Sequence, residues 1–106
     1  MSTSLAPNQR AFLRSQANRL KPTVWIGKQG LSDEVVQAID QALECHELLK
    51  IKILEGAPFE RKELGEPLAE ATGCAVVQLV GRILTVYRPS TENPRIKLPA
   101  PKDKTT

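Results

Sequence analysis

The spacing of apolar and polar residues changes along the chain, and each change predicts a secondary-structure element. Pro7 suits the first turn of a helix, because its missing N–H needs no partner there. This helix should run to about Arg19, since Pro22 disfavours helical geometry in the residue before it. The apolar residues 23–26 predict a short strand. Over residues 35–43 apolar side chains recur at helical spacing, which predicts a second helix.

Three further strands follow from other apolar patterns. Lys50 and Lys52 alternate with the apolar residues of segment 49–53, which is the period-two pattern of a half-buried strand. Residues 75–80 and 83–88 are strongly apolar and predict two strands. Only two residues, with glycine first, separate them, so we expect a tight hairpin turn.

A third helix is expected between the second and third strands, over residues 58–72, ending at Gly73. Gly65 and Pro67 fit poorly inside a continuous helix, because an interior proline removes a backbone hydrogen bond. We therefore predict either a kinked helix or two pieces, the second starting near Glu66.

This order of elements, αβαβαββ, predicts an α+β fold: a two-layer sandwich in which helices back a mixed four-stranded sheet. The first two strands should be parallel, because a whole helix lies in their connection. The alternating lysines argue against helices on both faces, so part of one sheet face should be uncovered. We assign residues 1–98 to a single domain. Residues 99–106 form a basic, proline-containing tail that we expect to be disordered.

Composition narrows the class of protein. A chain of 106 residues with 41% hydrophobic and 25% charged residues is a single folded domain. It has no apolar run long enough to span a membrane and no evident secretory signal, so we expect a cytoplasmic protein. The net charge of +3 is segregated: residues 1–30 carry five bases and no acid, and residues 31–47 carry five acids and no base. Such segregation can form a basic surface for an anionic partner.

The side chains that catalysis or metal binding would need are sparse. His46 is the single histidine and has no carboxylate or serine partner at a suggestive spacing. Cys45 and Cys74 do not have zinc-ligand spacing, and we expect both to be buried thiols that pack as small apolar groups. Neither of the common phosphate-binding glycine patterns is present. The sequence therefore predicts no enzyme, no metal and no cofactor.

The segment Gly27-Lys28-Gln29-Gly30 is the strongest candidate for a binding site. It joins a strand to the start of a helix that Ser32 should cap, where backbone N–H groups can meet an anion. Two glycines strip side chains from the loop, so a sugar–phosphate backbone could approach closely. Two glycines three residues apart are, taken alone, more often simple turn chemistry. The preceding basic positions strengthen the binding hypothesis: Arg10, Arg14, Arg19 and Lys21.

Trp25 lies in the strand that leads into this loop. A core or half-core position is the more favoured interpretation, and an exposed stacking surface is the alternative. The chain has only four aromatic residues, too few to stack many bases, so clamping of a nucleic-acid backbone suits it better.

The stretch Leu20-Lys-Pro-Thr-Val-Trp-Ile-Gly-Lys-Gln-Gly-Leu31 resembles the signature of the CRM domain, an RNA-binding module, and especially the single-domain bacterial YhbY-type proteins. The segments 42–48, 50–52, 72–74 and 77–89 are similar to further motifs of that family. The resemblance covers residues 7–98. It implies a fold like the C-terminal domain of translation initiation factor three and RNA binding through Gly27, Lys28, Gln29 and Gly30.

For the single-domain bacterial members, the resemblance also implies association with precursors of the large ribosomal subunit. We therefore expect a non-enzymatic, monomeric RNA-binding protein of ribosome assembly, with no membrane and no small-molecule substrate. Lys50 and Lys52 would extend the RNA contact across the uncovered sheet face. The alternative is a protein-interaction module that docks on a ribosomal protein or a translation factor. A nuclease is a third, weaker possibility, because the sequence shows no acid–base pair.

Overall fold

A computed structural model describes residues 5–56 and 63–99 of the chain. The elements are α1 (Pro7–Ala17), β1 (Pro22–Ile26), α2 (Asp33–His46), β2 (Leu48–Ile53), α3 (Gly65–Thr72), β3 (Ala75–Val80) and β4 (Ile83–Tyr87). The predicted α+β class and the order αβαβαββ are confirmed. Within the described ranges, no helix is both long and apolar enough to cross a membrane.

The four strands form one mixed sheet in the order β1-β2-β4-β3. β1 and β2 are parallel, as predicted from the helix between them. β4 pairs antiparallel with β2 on one side and with β3 on the other. The edge strands of the sheet are therefore β1 and β3. β1 leads into the segment 27–30, which we call the glycine loop.

α2 and α3 cover one face of the sheet and enclose the larger apolar core. Its members are fully or almost fully buried. They come from α2, from α3 and the residue before it, and from alternate positions of the strands: Ile39, Leu43, Leu64, Leu68, Ile26, Leu49, Ile51, Ile53, Leu84 and Val86. The period-two pattern of segment 49–53 thus specified which face of β2 meets the helices.

α1 packs on the opposite face of the sheet, over one end only, so helices lie on both faces there and the expected two-layer arrangement is wrong at that end. Its buried residues Leu13 and Ala17 contact Leu48, Val77 and Tyr87 in a second apolar cluster. Leu48 and Tyr87 neighbour Leu49 and Val86 of the larger core, and successive strand residues point to opposite faces. α1 therefore closes one part of this face and leaves the rest without a helix from the described residues.

We call the uncovered part the open face. Strand register arranges its side chains in two rows. One row consists of Trp25, Lys52, Ile83 and Val80, and the other of Lys50, Thr85 and Gln78. The expectation that Lys50 and Lys52 lie on a partly uncovered face agrees with their exposure, half-buried for Lys50 and exposed for Lys52.

The third helix begins at Gly65, one residue from the predicted start of a second piece. Residues 57–62, which would hold most of the first piece, lie outside the described residues. Pro67 costs no intrahelical bond, because it occupies the first turn, where N–H groups have no helical partner. Gly65 is required by packing: a Cβ there would lie 2.8 Å from Cγ2 of Val76.

The chain after β4 packs against the rest of the domain although it contains Pro89, Pro94 and Pro99. Residues 88–99 form no helix or strand, yet Ser90 is buried and Ile96 and Leu98 pack against the α1 cluster. At the far end, Nε2 of Gln9 donates to the carbonyl of Pro99 at 3.0 Å. We call residues 88–99 the C-terminal segment. The proposed tail, 99–106, falls outside the described residues from residue 100 onward.

Candidate functional site

The glycine loop is a tight turn at the end of β1. The N–H of Gly30 donates to the carbonyl of Gly27 at 2.9 Å, which leaves Lys28 and Gln29 exposed at the tip. Gly30 is buried and has a φ of 62°, a backbone conformation that glycine adopts without strain. Two residues later Ser32 caps α2 by accepting a hydrogen bond from the N–H of Val35. The loop thus presents a lysine beside the positive end of a helix.

Two other turns lie at the same end of the sheet as this loop. The N–H of Leu54 donates to the carbonyl of Ile26, and the N–H of Ile53 donates to the carbonyl of Arg82, both at 2.8 Å. These bonds place the turns after β2 and between β3 and β4 beside the glycine loop. A Cβ on Gly56 would lie 3.4 Å from Cγ of Lys28, so the lysine stem passes close to the turn after β2.

Three segments therefore bring basic side chains to one end of the molecule: Lys28, Lys52 and Arg82. Arg82 was missed in the sequence analysis, because its proximity to the loop depends on strand order. It contacts Glu55 at 3.7 Å, but both side chains are solvent-exposed, and such pairs contribute little binding energy. The guanidinium remains accessible to another anion.

Trp25 corrects one expectation. We favoured a core or half-core position, but 53% of its surface is exposed. The reason is register: Trp25 pairs with Lys52, and its neighbours Val24 and Ile26 face α2 instead. Tyr87, by contrast, is buried beneath α1.

The basic residues of α1 and its C-terminal end do not form one group with the loop. Arg10 is half-buried, and its Nε donates to the carbonyl of Val76 at 3.4 Å, so it ties α1 to an edge strand. Arg14 is exposed on the same helix. Arg19 and Lys21 are exposed at the start of β1, whose five residues separate them from the loop by about 17 Å.

Arg19 and Lys21 line a cavity of about 410 Å³ at that opposite end. His46 also lines it, and Leu48 and Ile96 contribute apolar surface. The cavity lies between the end of α1, the start of β1 and the C-terminal segment. The structure thus separates the predicted basic residues into a group at the loop and a group at this cavity.

A large group of acidic residues lies on the other side of the sheet. Residues 33–46 and 63–72, which include α2 and α3, carry seven acids and no lysine or arginine. Asp33 and Glu34 are exposed in the first turn of α2 and would repel a phosphate there. An anionic ligand at Lys28 is therefore favoured to continue toward the open face rather than along α2.

Two acidic residues of α2, Asp40 and Glu44, hold other parts of the chain in place. Asp40 and Glu44 both pair with Arg88, whose guanidinium also donates to the carbonyl of Thr72. Glu44 accepts hydrogen bonds from Ser90, Thr91 and Glu92. The hydroxyl of Ser90, followed by the N–H of Thr91, lowers the pKa of Glu44 to about 2.

The thiols are free and lie in different environments. Cys74 is buried as expected, and burial raises the pKa of its thiol, which disfavours a nucleophilic thiolate. Cys45 is exposed, contrary to our expectation. Across residues 5–56 and 63–99, no group of three His, Cys, Asp or Glu side chains is placed to hold a metal ion.

Comparisons with known proteins identify the family and a similar fold. The model of the CRS1/YhbY (CRM) domain family matches residues 5–88. Probable RNA-binding protein YqeI of Bacillus subtilis is 35% identical over 95 residues, covering 90% of this chain and 99% of the relative. An RNA-binding protein of Haemophilus influenzae is 42% identical over 98 residues, covering 92% and 97%. The solution structure of hypothetical protein SAV1595 from Staphylococcus aureus aligns with a TM-score of 0.76 and 40% identity, over 91% of this chain and all of the other.

Proposed function

Because this chain belongs to the CRS1/YhbY (CRM) domain family, we propose that it is a non-enzymatic RNA-binding protein that associates with precursors of the large ribosomal subunit. Relatives that match almost their whole length to this chain are named RNA-binding proteins. Those names support RNA as the partner. The ribosomal particle is the more specific part of the proposal and needs its own test.

The observation that carries the proposal is the convergence of Lys28, Lys52 and Arg82 around a glycine loop at the edge of the open face. Three cationic side chains from separate segments form a compact electrostatic site for phosphates. The glycines let the RNA backbone approach the main chain of the loop. Phosphate oxygens would accept hydrogen bonds from the ammonium group of Lys28.

The remaining basic residues would widen the contact in two directions. Lys50 lies two residues before Lys52 in β2, on the side nearer to Arg19 and Lys21. A basic path therefore leads from the loop along the open face. Arg14 adds charge at the neighbouring helix. Arg10 is partly engaged with the carbonyl of Val76, so we assign it mainly to packing.

Sedimentation of cell extracts tests the ribosomal part. Wild-type protein should co-migrate with free large subunits or their precursors on a sucrose gradient at low salt. Lys28→Glu should shift it to the top of the gradient, because it reverses charge at the exposed tip of the loop. A charge change at residue 28 is a cleaner probe than Gly30→Asp, since Gly30 is buried at positive φ and its replacement would strain the turn.

The matched control is Lys97→Glu, which makes the same charge change on the C-terminal segment, away from the loop. It should sediment like the wild type. Wild-type protein found only at the top of the gradient would contradict the ribosomal role. Equal loss for both variants would contradict a site centred on the loop. Co-migration that survives Lys28→Glu and is insensitive to salt would favour docking on a ribosomal protein instead.

A further inference from the structure

We propose that the open face beside the glycine loop binds an unstacked base of single-stranded RNA, with the indole of Trp25 as the stacking surface. The inference rests on the proposed RNA binding and adds the structural class of the RNA. The loop clamps a backbone, which both duplex and single strand possess. A stacking indole requires a base whose face is free.

The position of Trp25 is the first observation. An indole is normally buried for most of its area, yet this one is 53% exposed on an edge strand. Val80, in the same row at the other edge of the sheet, is also exposed, but it pairs with Ile83 rather than with a lysine. Within this row, the combination of an exposed apolar group and a paired lysine occurs at Trp25 and Lys52 and not at Val80.

The charges around the indole are the second observation. Lys52 pairs directly with Trp25, and Lys28 lies three residues further along the chain, at the tip of the loop. A nucleotide combines an aromatic base with an anionic phosphate, so an exposed aromatic ring with one lysine paired across the strands and another in the adjoining loop matches both of its parts. Glu55, the acid in the adjoining turn, already pairs with Arg82. An acidic protein segment would match the lysines but would not need the indole.

Trp25 is the single tryptophan of the chain, so its fluorescence reports on this site alone. We would titrate the protein with a single-stranded 12-mer of uridylate, one of adenylate and a 12-base-pair RNA duplex. Anisotropy of the end-labelled RNAs would measure binding in parallel. Single strands should quench the indole over the same concentration range as the anisotropy change, and the duplex should not quench it.

The variants separate stacking from general binding. Trp25→Ala should weaken single-strand binding by roughly 5- to 150-fold, the range typical of one base–aromatic stack, and should change duplex binding by less than about twofold. Trp25→Phe should retain most of the affinity, because a smaller ring still stacks. Val80→Ala is the matched control and should bind single strands like the wild type.

Several outcomes would overturn the inference. Single strands that bind without quenching, and with equal affinity for wild type and Trp25→Ala, would show RNA binding without stacking and leave the proposed function intact. Equal losses in Trp25→Ala and Val80→Ala would assign the effect to apolar area alone. Binding of neither single strand nor duplex would contradict the proposed function itself. If Trp25→Ala does not fold, the quenching of the wild-type indole and the RNA affinity of Trp25→Phe still test the inference.

Discussion

Glu47 occupies an unusual place for an acidic residue. It is fully buried, with a φ of 68°, and it connects α2 to β2 with no further loop residue. Its carboxylate accepts three backbone hydrogen bonds, from the N–H groups of Ser90, Arg95 and Ile96 at 2.7–2.8 Å. Its own carbonyl accepts from the N–H of Arg88. One residue thus reverses the chain and holds the C-terminal segment.

Two substitutions separate these roles. Glu47→Ala should lower the free energy of unfolding by about 2–4 kcal/mol, because it leaves buried N–H groups without their charged acceptor. Glu47→Gly should be about 1 kcal/mol less destabilising than Glu47→Ala, because glycine adopts the positive φ without strain. Urea denaturation of both variants measures the difference. Equal stability of Glu47→Ala and the wild type would show that the three bonds contribute nothing.

The environments of Glu47 and Trp25 could not be predicted for a common reason. The partners of Glu47 lie 43 to 49 residues away, so no local pattern indicates them. Trp25 was placed in the core because large aromatics usually are, whereas the register between β1 and β2 decides its face. Local chemistry was predictable where it needs few neighbours: Ser32 caps its helix, and a two-residue turn joins the last two strands.

Among the elements, the C-terminal segment depends most clearly on charge. Burial raises the pKa of Glu47, but the hydrogen bonds from the N–H groups of Ser90, Ile96 and Arg95 lower it by more. The net pKa of Glu47 therefore lies below its ordinary value. The pKa of Glu44 is lowered to about 2 by its bonds to the same segment. Both carboxylates therefore bind the segment best when ionised.

Acid should release this segment. Carboxylates with lowered pKa stabilise the fold above their unfolded pKa of about 4.5, and that contribution disappears as the pH falls toward about 2. We expect the urea midpoint to be flat between pH 7 and 5 and to fall below pH 4.5. Amide exchange at Ser90, Thr91 and Ile96 should accelerate over the same range.

The control for the acid effect is the double variant Glu44→Gln/Glu47→Gln. It should be less stable than the wild type at pH 7 and lose less stability in acid, because neither side chain can titrate. A wild-type midpoint that stays constant from pH 5 to pH 2.5 would contradict the role given to these carboxylates.

Most elements follow from the periodicity of the sequence, and the exceptions follow from long-range contacts. The bounds of β3 are those predicted, and α1 ends two residues before the expected Arg19. The C-terminal segment lacks any periodic pattern and has four prolines in and beyond it, so its order could not be predicted. It is held by the side chains of Glu44 in α2 and of Glu47, which follows α2, rather than by a ladder of its own.

Across the whole molecule, charge is divided between the two sides of the sheet. α2 and α3 on one side carry acids and no lysine or arginine, whereas the glycine loop, the open face and α1 carry lysines or arginines and no acid. This division is visible in the sequence as blocks of like charge along the chain. The distance of Arg19 and Lys21 from the loop is not, because the length and direction of β1 decide it. We expect RNA to bind on the basic side, centred on the loop.

The most direct test is equilibrium binding of a labelled fragment of large-subunit ribosomal RNA as a function of salt. A contact with four to six phosphates should give a log–log slope of roughly −3 to −4. Lys28→Ala/Lys52→Ala should weaken binding at least about 10-fold and reduce the slope by about 1.4. Arg95→Ala/Lys97→Ala, with the same change in net charge, should stay within about threefold of the wild type. Equal effects of the two double variants, or no binding by the wild-type protein, would contradict the account.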